Sequence, residues 1–355
     1  MKKYILSSLA VLSAATLFTS CNDALDTDPR VTEMTQATFP GKPGDVEALN
    51  AATYSIMNAM GGGDSDNQNP FYWWEIMSDN CYGSGGLQDN KVKSLHHLVE
   101  MSVNQYEQTF ILLYGGISRA NNQIETIDNV PWSEKEKSQR NQLLGEGYFM
   151  RGLYTLWLTQ LYGDVPLITS TTITPEMEKQ ASAEDVIYPQ ILSDFVSGMN
   201  LMGTEAGRGD GHANKYVAEA FIARAYMFWA GFYKNVSELA SGSAPAMELV
   251  EQEGCAGGSL SQADVVNYLK DIINNGGYKL CPDFRSLWQY SNSKLWDEAH
   301  DGEGHAYDFI ADMDRNNCFD MPGMGNGNTE ELFQIQFMNA SKWAIGGTYS
   351  NPRMY

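Results

Sequence analysis

Basic residues are scarce in this chain, with 23 lysines and arginines against 44 acids, and the formal charge of −21 makes nucleic acid and anionic lipid headgroups poor partners. Only five cysteines occur, none in a Cys-x-x-Cys spacing, which argues against zinc clusters and thioredoxin chemistry. Cys81, Cys255, Cys281 and Cys318 leave room for one or two disulfides, whose pairing the spacing does not assign. After the first twenty residues no stretch approaches eighteen uncharged apolar residues, so no later transmembrane helix is expected. Catalytic signatures are missing too: there is no nucleophile elbow and no zincin helix. The glycine cluster at 322–327 lacks the Lys-Ser or Lys-Thr that would make it a phosphate loop. The many acids supply no local pattern of paired catalytic carboxylates, so neither an enzyme nor a bound cofactor is implied.

The first twenty residues do carry a pattern. Lys2 and Lys3 precede an apolar run over 5–18 that ends in Thr19-Ser20-Cys21, the layout of a secretory signal: charged start, short apolar centre, small residues at the cut. A cysteine directly after the small residues is what lipoprotein processing requires, with the thiol of Cys21 as the acylation point. Each acyl methylene contributes about 0.8 kcal/mol on entering the bilayer, so two or three chains such as palmitate hold a protein without a basic patch. Loss of Lys2 and Lys3 leaves 21 bases against 44 acids, a mature charge of −23. The acidic, turn-rich stretch after Cys21 reads as a tether, giving a signal over 1–20, a lipid-anchored tether over 21–42 and a folded domain over 43–355.

At 43% hydrophobic and 12% aromatic, the domain has the material for a large core. Apolar residues recur at helical spacing over 45–60, 103–127, 133–162, 182–202, 214–234 and 261–275. Ser133 with Glu136, and Ser261 with Asp264, are capping-box pairs. Strands are expected only around 164–173, 278–281 and 332–338. Two helices match at an offset of 73 residues: Glu146, Arg151 and Gly152 fall on Glu219, Arg224 and Ala225, each followed by an aromatic-rich run. Both are apolar nearly all round and so belong between other helices, with Trp157 and Trp229 as core residues. The two arginines are expected to hold carboxylates or carbonyl groups between repeats. The fold class is therefore mainly α, a tetratricopeptide-like helical-repeat scaffold with long loops and a few short strands.

Seven landmarks occur in order: Cys21 followed by Leu25-Asp26-x-x-Pro29; Glu146-x4-Arg151-Gly-Leu-Tyr154; Leu161-Tyr-Gly-Asp-Val-Pro-Leu-Ile168; Ala183-Glu-Asp-Val-Ile-Tyr188-x2-Ile191-x2-Asp194; Asn214-Lys215 leading into Ala223-Arg-Ala-Tyr226; Gly277-Tyr-x-Leu280; and Glu330-Glu-Leu-Phe-Gln-Ile-Gln-Phe337. Together they resemble the RagB/SusD family of outer-membrane nutrient-binding lipoproteins. The resemblance implies a lipid-anchored protein on the outer membrane, facing the cell exterior, that binds an oligo- or polysaccharide and hands it to a SusC-like TonB-dependent transporter. Family members run on past the Gln-Ile-Gln-Phe segment, whereas this chain stops at Tyr355, so a missing C-terminal part is also implied. Other readings of the same residues are a structural scaffold that binds proteins through a concave helical face, and a surface glycoside hydrolase.

Sugar rings stack their apolar face on flat side chains and present hydroxyls to carboxylates and amides, so binding residues should be aromatics beside polar groups on loops. The segment 69–86 fits: Trp73 and Trp74 adjoin Asp79, Asn80 and Tyr82, and adjacent tryptophans there suggest a loop with at least one indole on a ligand surface. Core packing of one indole beside Ile76 and Met77 is the competing explanation. Trp296 and Trp343 lie in other loop-like segments, as do Trp288, Tyr290 and Tyr307. Asp312, Asp314, Asn316 and Asp320 space their oxygens like half a calcium loop, without its turn glycine and closing glutamate. His300, Glu303 and His305 lack a recognised zinc spacing.

Overall fold

Helical periodicity becomes eight α-helices in a computed structural model that describes residues 39–61, 70–78, 90–98, 103–205, 211–234, 244–280 and 330–334. They are α1 (Pro43–Gly61), α2 (Pro70–Met77), α3 (Asn90–His97), α4 (Val103–Thr126), α5 (Lys137–Tyr162), α6 (Tyr188–Leu201), α7 (Lys215–Tyr233) and α8 (Gln262–Asn275). A 3-10 turn, Ile127–Asn129, extends α4, and a π-helical turn, Ala183–Ile187, leads into α6. Side-by-side packing runs α1 on α4, α4 on α5, α5 on α6, α6 on α7 and α7 on α8, the order of a helical-repeat array. Among the described residues no helix is long and apolar enough to cross a membrane.

Helix α5 is the centre. Its side chains are buried without interruption from Leu143 to Thr159, because its sequence is apolar on every face and it is walled by α1, α4 and α6. Close approach of α6 depends on Gly152, where a Cβ would lie 3.0 Å from the Phe195 ring and 3.1 Å from the Asp194 Cβ. The helix stops where the Tyr-Gly-Asp-Val-Pro stretch predicts: Gly163 takes φ 73°, its N–H bonds to the Thr159 carbonyl, and Pro166 follows. The Ser261 capping box forms in full, while Ser133 and Glu136 bond to each other in a turn and the helix itself begins at Lys137.

The strands differ from expectation. Val165–Pro166 (β1) pairs with Gln180–Ala181 (β2), so the first region holds only a two-residue strand. Residues 278–280 and 332–334 are not strand, and the rest of those two segments lies outside the described residues. The principal hairpin, Met247–Gln252 (β3) with Cys255–Leu260 (β4), packs on α6 and was not anticipated. Cys255 is buried in it, and burial pushes its thiol up from the ordinary range, so it is a core residue and not an accessible disulfide partner. Cys81, Cys281 and Cys318 lie outside the described residues.

The paired arginines diverge. Arg151 is buried, forks onto Asp194 of α6 (Nε to Oδ2 2.9 Å, Nη2 to Oδ1 2.6 Å) and donates to Asn121 of α4, the Thr169 carbonyl and Gln252 of β3. Arg224 corrects the expectation for its counterpart: it is exposed and lies over the Phe221 ring, 5.8 Å from its centre, because its face of α7 has no helix against it among the described residues. The matching glutamates are both buried. Glu146 accepts from Asn50, Gln142 and, at 2.8 Å, contacts Nδ1 of His212. Glu219 has Lys215 at 3.4 Å, and its second oxygen has no hydrogen-bond partner among the described residues.

Candidate functional site

Trp73 and Trp74 stand on a helix and not on a loop, and helix geometry explains why two tryptophans adjoin. Successive residues turn by about 100° and positions three apart share a face, so Trp73 goes with Ile76 while Trp74 goes with Met77. Pro70 fits the first position, where its missing N–H has no intrahelical partner to lose. Trp73, only 3% exposed, joins Ile76, Leu95 of α3 and Tyr106 of α4 in a small satellite cluster, with its ring edge-on to Tyr106 at 4.8 Å. Core packing therefore takes Trp73. Trp74 is half-buried and leans edge-on against Trp157 of α5 at 6.2 Å, which fixes the plane of its indole.

These side chains wall a cleft of about 710 Å³, a size suited to small ligands. Trp73, Trp74 and Met77 form one side, Tyr106, Glu107 and Phe110 of α4 another, and Gln160, Leu161 and Tyr162 at the end of α5 a third. The aromatic walls brace one another: Phe110 meets Tyr162 at 5.2 Å and Tyr114 at 4.8 Å. Polar tips anchor them as well. Tyr162 donates to the Tyr106 carbonyl at 2.7 Å, Tyr114 donates to the Pro166 carbonyl at 2.7 Å, and Ser94 and Tyr106 share a hydrogen bond of 2.5 Å. Burial pushes the phenols of Tyr106 and Tyr162 up, so both stay neutral. The lining is mainly apolar, with Ser78, Gln160 and Glu107 as its polar side chains. Such a surface suits a flat, partly apolar ring and offers its edge a few hydrogen-bond partners; among the described lining residues Glu107 is the one carboxylate, so they form no carboxylate pair.

Residues 29–227 match the family described as SusD-like, starch-binding associating with outer membrane. This chain belongs to the SusD-like family. The curated SusD-like protein P38 of Formosa agariphila is 27% identical over 201 residues, which are 55% of this chain and 37% of that protein. Among solved structures, a laminarin-binding SusD-like protein superposes with TM-score 0.54 at 21% identity, over 71% of this chain and 49% of the other. Surface glycan-binding protein A of Bacteroides thetaiotaomicron, solved with laminarihexaose, superposes with TM-score 0.51 at 16% identity, over 69% and 46% of the two chains. At those identities the likeness establishes the fold. The chain spans less than half the length of each of these three proteins.

Of the site residues expected from sequence, Trp73 and Trp74 are brought to this cleft. Asp79, Asn80, Tyr82, Trp296 and Trp343 lie outside the described residues, as do Cys21 and the calcium candidates Asp312, Asp314, Asn316 and Asp320. Among the described residues no group of acids, histidines and cysteines is arranged to hold a metal ion. The opposite wall was not anticipated: Tyr106 and Phe110 read as ordinary core positions, and Tyr162 as part of a helix stop. Their four-residue spacing on α4, next to a tyrosine at a helix end, was the available signal.

Proposed function

We propose that this chain binds a glycan at the cell surface, without transforming it, and passes it to a SusC-like TonB-dependent transporter in the outer membrane. The carrying observation is the cleft, where one indole, Trp74, has its plane fixed against Trp157 and faces a wall of Tyr106, Phe110 and Tyr162. A rigid aromatic face binds a sugar ring at little conformational cost. Membership of a family described as starch-binding, and a shared fold with proteins solved as laminarin binders, support a glycan as the ligand class. The family's association with the outer membrane supports the place, and the Cys21 pattern supports lipid as the means, with 1–20 as signal, 21–42 as tether and 43–355 as the binding domain.

Calorimetric titration against a panel of oligosaccharides tests the reading. Trp74→Ala should stay folded and lose affinity about tenfold, on the order of 1.4 kcal/mol. Trp229→Ala, whose buried indole donates to the Glu184 carbonyl at 3.1 Å, should instead lose stability, about 3–5 kcal/mol. Unchanged affinity in the Trp74 variant would discard stacking on Trp74 as the binding contact. A second reading, a scaffold that holds another protein, draws on one observation: Met227 and Phe232 of α7 are 57% and 70% exposed. Failure of every glycan, with transporter binding retained, would favour it.

A further inference from the structure

Within the cleft, the charged group is Glu107. It lies on α4 one residue after Tyr106 and three before Phe110, exposed at the mouth between the aromatic walls. Its carboxylate makes no ion pair among the described residues, unlike Glu184, Glu253 or Asp194, each of which meets a lysine or arginine. An exposed carboxylate is an acceptor with two oxygens, matched to a pair of neighbouring hydroxyls on one ring edge. It also carries a negative charge, with no cation paired to it among the described residues, to the distance at which a ligand would bind. Separations of that kind fall well inside the screening length of about 8 Å at physiological salt, so the charge is felt there. The whole chain reinforces its sign, at −21.

Resting on the glycan reading of the cleft, we infer that Glu107 sets its ligand class: neutral sugars, gripped by hydroxyls on the carboxylate while the ring lies on Trp74, with uronic and sulfated sugars rejected. Attraction and rejection come from one group, because the acceptor that rewards a hydroxyl repels an acid at the same place. Trp74 contributes equally to both ligand types, since an acid at C6 leaves the apolar ring face unchanged. The two residues are therefore separable. Trp74 supplies affinity and Glu107 supplies discrimination.

The test is a titration of the full chain in detergent micelles with laminarihexaose and maltohexaose, each beside its C6-oxidised hexuronate counterpart. Wild type should bind at least one neutral hexaose, and bind its hexuronate at least tenfold more weakly. Glu107→Gln, which keeps the shape and removes the charge, should narrow that gap to within about threefold; Trp74→Ala should weaken both ligands and leave the gap. Equal wild-type affinity for the hexuronate, or a gap unmoved by Glu107→Gln, overturns the assignment of Glu107 even if Trp74→Ala confirms the cleft. A gap that closes in Glu107→Gln while Trp74→Ala changes nothing keeps the charge rule and discards stacking on Trp74. Binding of neither neutral hexaose overturns both.

Discussion

Glu219 and Glu146 occupy matching positions on two look-alike helices, yet among the described residues both oxygens of Glu146 have partners while one of Glu219 has none. Each has a donor one turn earlier, Gln142 for Glu146 and Lys215 for Glu219, but Lys215 is shared with Asp271 of α8 at 2.6 Å. Burial pushes the Glu219 carboxyl up to about 7, with Lys215 opposing and Asp271 adding to the rise. A carboxyl raised in the folded state takes up its proton more tightly there than in the unfolded chain. The resulting stability is fully present below the ordinary value near 4.5 and is lost as pH rises through about 7. Asp271 is held below its ordinary value by Lys215, and Lys215 is held above its own by Asp271, so neither titrates in that window. Thermal melts at pH 5 and pH 8 check this: Glu219→Gln should flatten the alkaline fall of the wild type, a difference on the order of 1–3 kcal/mol. Equal slopes in the two proteins would count against a perturbed Glu219.

Between elements, the Arg151–Asp194 fork is the principal buried ionic link, and its repeat counterpart provides an internal control. Removing one member strands a charge among α4, α5, α6 and β3, so Arg151→Ala should cost about 3–5 kcal/mol and lower the melting temperature by on the order of 10 °C. Arg224→Ala, at the matching position but exposed, should stay within about 0.5 kcal/mol of wild type. Equal melting temperatures for the two variants would contradict the network. The contrast also marks how far the sequence could be read. Apolar spacing located α1 and α4 to α8 to within a few residues, since periodicity reports which side of a helix is buried. It could not separate Arg151 from Arg224, because what differs is the neighbour: Asp194 stands over one, and among the described residues no acid pairs with the other. Adjacent Trp73 and Trp74 suggested a loop because α2 is only eight residues long, too short for a period to declare itself. The β3–β4 hairpin stayed hidden for a related reason. Its second strand, Cys-Ala-Gly-Gly-Ser-Leu, has low strand propensity, and it is held by packing on α6 and not by its own residues. The cleft was half legible: Trp74 drew attention as a surface aromatic, whereas Tyr106, Phe110 and Tyr162 are recognisable as one wall only after α4 and α5 lie together.

At the scale of the whole molecule, the family's association with the outer membrane calls for a means of attachment, and no helix among the described residues is long and apolar enough to cross a membrane. Lipid on Cys21 would supply it, so Cys21→Ala should shift the protein from the membrane fraction to the soluble one; retention after a high-salt wash would argue against the anchor. A molecule tied down in this way meets its ligand at one fixed surface, and Trp74 and Glu107 would act there together. The Arg151 junction bears on something else, the divisibility of the chain. Repeat arrays can often be shortened a unit at a time, because each unit touches only its neighbours. Here one guanidinium takes partners from Asn121 through Asp194 to Gln252, so a cut between any two of those elements strips it of an acceptor in the interior, and one that removes α6 also leaves its charge unpaired. Deletion of a helix pair should accordingly not yield a smaller working module, and the minimal autonomous fragment must carry α4 through β3 intact.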